Sequence, residues 1–248
     1  MQDFITGLQF LTRIRIINQT EWSPERFGRS VKYFPLVGAV LGLLLSFCAH
    51  LLLSLLPSIG IYIPPHVIAA ILLILAIILS GGLQCDGFMD TMDGIFSGRS
   101  RERMLEIMKD SRIGANGVMA FTLLVLIKWS LLLDISPMNL PLALFVMPIF
   151  GRLAMVIGIT LFPYARPDGI GKAFALYANR KSLLVALILT VLLILPLSSK
   201  AMIGLGLTGL AAYLASSYVT RILGGLTGDV YGALTEIIEL LVLFVFLF

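Results

Sequence analysis

Seven apolar runs constrain the fold of this chain more than any other feature, near 34–56, 62–82, 117–135, 141–163, 182–197, 201–222 and 230–248. At about 1.5 Å per residue, roughly 20 helical residues cross the hydrocarbon of a bilayer. The fifth run is short, ends at Pro196, and is expected to form a tight hairpin with the sixth through Leu197–Lys200. One buried core helix cannot account for so many runs. With 58% hydrophobic and only 13% charged residues, the chain also lies outside the composition of a soluble domain. The expectation is an all-α, polytopic integral membrane helix bundle of about seven transmembrane segments. No repeat or low-complexity linker divides it, so residues 1–248 read as a single membrane-embedded domain.

The charges give this bundle a direction. Arg13, Arg15, Arg26, Arg29 and Lys32 precede the first run; Arg99, Arg101, Arg103, Lys109 and Arg112 lie between the second and third. Arg166, Lys172, Arg180 and Lys181 lie between the fourth and fifth, and Arg221 closes the sixth, whereas the alternate connections hold only Lys200. Such an imbalance is expected to place the N-terminus and its basic loops in the cytoplasm and the C-terminus outside. The net charge of +4 is then a property of those loops and calls for no nucleic-acid partner. The start of the chain lacks the pattern of a signal peptide and is expected to remain on the mature protein. Phe4, Leu8, Leu11 and Arg15 recur at helical spacing, as expected of a short amphipathic helix in the cytoplasmic interface. Cys48 and Cys85 form neither a disulfide framework nor a zinc spacing.

Directly after the uncharged stretch 61–84 comes CDGFMDTMDG, residues 85–94. If helical, it puts Asp86, Asp90 and Asp93 within about 60° of one another on one face. Three such carboxylates repel unless they share a cation, and the hard oxygen-ligand choice is Mg²⁺ or Mn²⁺. Gly87 and Gly94 flank the stripe and allow a ligand or a neighbouring backbone to approach. Downstream, RERMLEIMK at 101–109 is amphipathic, and DSRIG at 110–114 sets Asp110 two residues before Arg112, whose fork suits phosphate oxygens. Beside the Asp stripe, this pattern suggests a nucleotide diphosphate. With no His on the cytoplasmic side, a general base there would be a carboxylate.

Further charges lie inside apolar runs, where ionisable groups are costly and need partners. Asp229 and Glu236 are seven residues apart on one face, and Glu239 follows one turn later. Counting rise per residue, Glu239 and Arg152 each lie about 15 Å in from their segment ends, so Arg152 is expected to pair with Glu239 or Glu236. Lys128, also deep in its run, has no partner that the sequence names.

GGLQCDGFMDTMDGIFSGRSRERMLEIMKDSRIG, residues 81–114, resembles the signature of the cobalamin synthase family. FLTRI at 10–14, YFPLVG at 33–38, YAR at 164–166 followed by GIGKAF, and GGLTGDVYGALTE at 224–236 extend the resemblance in the family's order over almost the whole chain. The resemblance implies a multipass enzyme of late vitamin B12 assembly. Such an enzyme joins adenosylcobinamide-GDP to α-ribazole or α-ribazole 5′-phosphate, releases GMP and uses Mg²⁺. It assigns Asp86, Asp90 and Asp93 to metal, with Asp229 a further member of the site. Arg112 and Arg166 would meet phosphate, Lys109 would assist, and Asp93 or Asp110 would serve as base. A homo-oligomer is among the assemblies left open. Two departures stand out: Gln84 and Cys85 occupy places where the family usually has His, then Glu or Leu, and Arg15 stands in place of a proline.

Two rival readings share parts of this pattern. A CDP-alcohol phosphotransferase also brings Mg²⁺ to a nucleotide diphosphate with aspartates, but its DGxxAR is absent, since DGFM is followed by Asp90 and Thr91. A transporter would use Lys128, Arg152, Glu236 and Glu239 as its path and would show inverted repeats, for which the glycine pairs at 81–82 and 224–225 have no matching surroundings.

Overall fold

The computed structural model describes residues 1–18 and 23–248. Helix α1 (Gln2–Leu11) leads to a long rod, Pro24–Ser58, that joins α2 (Pro24–Ser30), a 3-10 turn, α3 (Phe34–His50), a π turn and α4 (Leu56–Ser58). Then follow α5 (Pro65–Ser80), α6 (Leu83–Phe96), α7 (Arg101–Ile107), α8 (Ala115–Asp134) and α9 (Leu140–Leu161). The chain closes with α10 (Ile170–Tyr177), α11 (Arg180–Ile194), α12 (Ser199–Leu223) and α13 (Gly228–Leu247). The architecture is the expected all-α bundle; extended pairing among the described residues is limited to one bridge between Tyr164 and Leu226.

All seven apolar runs become helices, but not all are alike. Five helices are long and apolar enough to cross a membrane alone. Helices α5 and α11, of 16 and 15 residues, reach that length only with α6 and α10, from which they bend by 90° and 92°. The first bend has a local cause. Gly81 and Gly82 both take positive φ, 69° and 72°, which an L side chain resists, and their N–H groups return to the carbonyls that end α5. The acidic segment therefore turns sharply away from the apolar helix that precedes it. Between the fifth and sixth runs the chain turns at 195–198, where the Ser198 hydroxyl caps α12 through the Ala201 N–H, and α11 and α12 each pack on α9.

Helix α9 is the axis of the bundle, enclosed by α3, α11, α12 and α13. A bilayer gives helices no hydrophobic reason to associate, so close packing has to supply it. On α3, Gly38 and Gly42 provide that closeness: a Cβ at Gly38 would lie 2.4 Å from the Pro148 carbonyl oxygen, and one at Gly42 2.2 Å from that of Phe145.

Four charges are buried where α8, α9 and α13 meet. Arg152 Nη1 lies 2.5 Å from Glu239 Oε1, the pairing expected from their depths. Lys128, unassigned from sequence, bridges Glu236 at 2.6 Å and Glu239 at 3.0 Å. Two cations and two anions make the set neutral, which an apolar interior requires. Removing one member leaves a buried charge without its counterpart, at a cost of about 3–5 kcal/mol.

Lys128→Met is therefore expected to lower the thermal midpoint of the protein in nanodiscs sharply, and Lys128→Met combined with Glu236→Gln to recover most of the loss. A double variant no more stable than the single one would show that the tetrad does not act as a neutral unit.

Candidate functional site

The bend after α5 sends α6 across the first turns of α13, and the contact is made through glycine. A Cβ on Gly87 would lie 2.7 Å from the Asp229 carbonyl oxygen, and one on Gly232 3.1 Å from that of Gln84. The Gly87 beside the acidic stripe thus serves the approach of a neighbouring backbone, one of the two uses anticipated for it. A second clamp acts on the far side of Asp229. Leu226 N–H donates to the Pro163 carbonyl at 2.8 Å and Ala165 N–H to the Leu226 carbonyl at 2.8 Å, tying the loop after α9 to the loop before α13. Arg166 is carried next to Asp229 as a result, with Nη2 2.7 Å from Oδ2.

Asp86, Asp90, Asp229 and Arg166 now share one end of the bundle, each within the electrostatic reach of Asp90. Three carboxylates face one guanidinium. Among the described residues, Asp86 and Asp90 have no side-chain hydrogen bond or ion pair. The Arg166 side chain is only 10% exposed; Nη2 is held by the ion pair with Asp229, while Nε has no hydrogen-bond partner. Buried donors without acceptors are costly, and an anion placed there would satisfy them. No three acidic, His or Cys side chains among the described residues are close enough to hold a metal ion by themselves. The donor set is nevertheless all carboxylate oxygen, which suits a hard divalent cation that takes its remaining ligands from elsewhere.

Asp93 stands apart from its helical neighbours. Its oxygens accept N–H bonds from Gly114 at 2.7 Å and Gly117 at 2.8 Å, where a carboxylate is favoured by the N-terminus of α8. A Cβ at either glycine would come within about 2.5 Å of these oxygens, so the glycines of GANG leave room for the carboxylate. Asp110 and Arg112 close on each other: Nε donates to Oδ1 at 3.1 Å and Nη2 to Oδ2 at 2.8 Å. Hydrogen bonds from the Arg112 side chain and backbone pull the Asp110 carboxyl down to about 2. Lys109 is exposed and has no ion pair among the described residues. The 109–112 group is thus displayed to solvent instead of being packed against Asp86 and Asp229.

Two cavities open on this end of the bundle. One of about 260 Å³ runs from Asp86, Arg166 and Asp229 into a wall of Phe10, Phe174 and Tyr231. The other, about 580 Å³, has Arg13 and Arg15 at its rim and shares Phe10, Leu83 and Asp86 with the first. No local pattern in the sequence marks Tyr231, Phe174 or Gln84 as part of a cavity wall. Tyr231 lay within a stretch noted only for resemblance, and Gln84 was visible only as a departure from a family pattern. A third, nearly closed space of about 30 Å³ adjoins the buried tetrad.

Residues 3–247 match the family model for CobS, cobalamin-5-phosphate synthase. The chain is 41% identical to the adenosylcobinamide-GDP ribazoletransferase of Desulfitobacterium hafniense (strain Y51), over 98% of its own length and 95% of the relative's. It is 35% identical to proteins of the same name from Fusobacterium nucleatum subsp. nucleatum, over 100% and 97%, and Clostridium acetobutylicum, over 94% and 90%. No solved structure matches the chain.

The different surroundings of the stripe residues predict different responses to substitution. Asp93→Ala removes an acceptor from the start of α8 and should lower stability by about 1–2 kcal/mol, read as a reduced thermal midpoint. Asp90→Asn removes one of three mutually repelling charges and should leave the midpoint unchanged or raise it. Equal destabilisation by both would contradict the division of the stripe.

Proposed function

The chain belongs to the cobalamin-5-phosphate synthase family, and on that premise we propose that it is a membrane transferase of late cobalamin synthesis. It joins adenosylcobinamide-GDP to α-ribazole or its 5′-phosphate, with release of GMP. The observation that carries this reading is the gathering of Asp86, Asp90 and Asp229 around an under-bonded Arg166, at a mouth shared by two cavities. Neither rival reading, the CDP-alcohol phosphotransferase or the transporter, is favoured by a feature of this site.

The chemistry is displacement at phosphorus. A ribose hydroxyl of the acceptor attacks the phosphoryl group on the cobinamide side of the diphosphate; an O–P bond forms and the P–O bond to GMP breaks. The Arg166 guanidinium, whose Nε has no hydrogen-bond partner, would meet the phosphate oxygens, where charge builds as GMP departs. The hydroxyl proton passes to a carboxylate of the cluster. Asp110, which gives up its own proton at about pH 2, is a weak acceptor, and the two oxygens of Asp93 are already engaged.

Asp86, Asp90 and Asp229 would hold Mg²⁺, which when bound supplies positive charge to the diphosphate and the leaving group. Magnesium commonly takes one or two carboxylates and completes its shell with water and phosphate, so a cluster that cannot hold the ion alone suits a site finished by substrate. Arg112 and Lys109 would extend over the donor phosphates if the loop folds inward, with Arg112 leaving Asp110. Asp93 would contribute by fixing the stripe to α8. The bias of basic residues toward one set of connections supports a cytoplasmic N-terminus and a site open to the cytoplasm of a bacterial cell.

In liposomes, the purified protein should release GMP from adenosylcobinamide-GDP only with acceptor and Mg²⁺ present, with a cobalamin product in step. Asp90→Asn and Arg166→Ala should each reduce turnover by roughly a hundredfold or more. GMP release without corrinoid product, or full activity in both variants, would overturn the reading.

A further inference from the structure

Gln84 is 1% exposed, yet neither its amide nitrogen nor its oxygen has a hydrogen-bond partner among the described residues. An amide buried in this way is costly unless something satisfies it. The side chain sits on the wall of the 260 Å³ cavity, and its backbone is pressed against Gly232 of α13, so its position is held. Across the cavity, the Tyr231 hydroxyl is likewise buried and unpartnered.

The remaining wall is aromatic and stiff. Phe10 and Phe174 meet edge to face at 5.3 Å, and Phe27 and Phe34 brace Phe174 from behind at 5.4 and 5.5 Å. Aromatic surfaces beside two unpartnered polar groups suit a flat heterocycle that has few polar edge atoms. The corrinoid part of the donor is too large for such a volume.

Building on the ribazole-transfer reading, we propose that the cavity lined by Phe10, Phe174 and Tyr231 is the acceptor-base pocket. In it, the Gln84 amide is the specificity-determining contact to the heterocycle of the nucleoside acceptor. The ribose then lies toward Asp86 and Asp229, which line the same cavity, and the wider cavity beyond Asp86, with Arg13 and Arg15 at its rim, is left for the anionic donor.

The test compares wild type with Gln84→Leu, which keeps the bulk and removes the amide, in steady-state turnover with each substrate varied in turn. The KM for α-ribazole should rise about tenfold, the loss of one hydrogen bond, while the KM for adenosylcobinamide-GDP stays within about twofold. A rise in donor KM alone would assign the pocket to guanine, and two unmoved KM values would make Gln84 structural; either result overturns the proposal.

A second arm needs no variant. Labelled α-ribazole bound to the wild-type protein in nanodiscs should resist displacement by GMP. Displacement by GMP, or the absence of saturable binding, would overturn the assignment even if Gln84→Leu does not fold. Wild-type protein that forms no cobalamin product would remove the underlying reading; turnover with misplaced KM effects would remove only the pocket.

Discussion

A charge inside an apolar bundle has to be balanced, and this protein balances its charges in two ways. Deep between α8, α9 and α13, Lys128 and Arg152 match Glu236 and Glu239 one for one. That set is complete, and its consequence is structural: it fixes the helix against which α6 packs. At the end of the bundle the count is uneven. Among the described residues, Asp86, Asp90 and Asp229 share one ion pair, that of Asp229 with Arg166, and the deficit of positive charge is what a divalent cation would offset. The balanced set belongs to the scaffold, and the unbalanced one is the site proposed for chemistry.

The placement of the uneven cluster depends on backbone contacts that side chains alone would not provide. Gly81 and Gly82 turn α6 off the axis of α5, Gly87 lets it reach the backbone of Asp229, and the bridge between Tyr164 and Leu226 brings Arg166 from the other side. Three distant stretches of chain are thereby tied to one point. Asp93 marks where this set ends, because its carboxylate anchors the first turn of α8.

Much of the fold was legible in the sequence because bilayer thickness sets the length of an apolar helix. The depth of Arg152 and Glu239 followed from rise per residue and led to their pairing. Other features were not legible, for physical reasons. Helical periodicity puts Asp86, Asp90 and Asp93 on one face, but it does not say that a helix N-terminus will claim Asp93. The nearness of Arg166 to the stripe depends on a bridge between Tyr164 and Leu226, 62 residues apart in the chain, which leaves no local pattern. Lys128 has no sequence neighbour that names its partners, and an unpartnered amide such as that of Gln84 becomes visible only once its surroundings are known.

The central claim is that the donor's diphosphate completes a metal site which the protein only half builds. Mn²⁺ binding to the protein in nanodiscs, followed by electron paramagnetic resonance with and without a non-reactive adenosylcobinamide-GDP analogue, tests it most directly. Weak binding alone, strengthened at least about tenfold by the analogue and lost in Asp90→Asn, is the predicted result. Tight binding without the analogue, or binding that the analogue leaves unchanged, would contradict it.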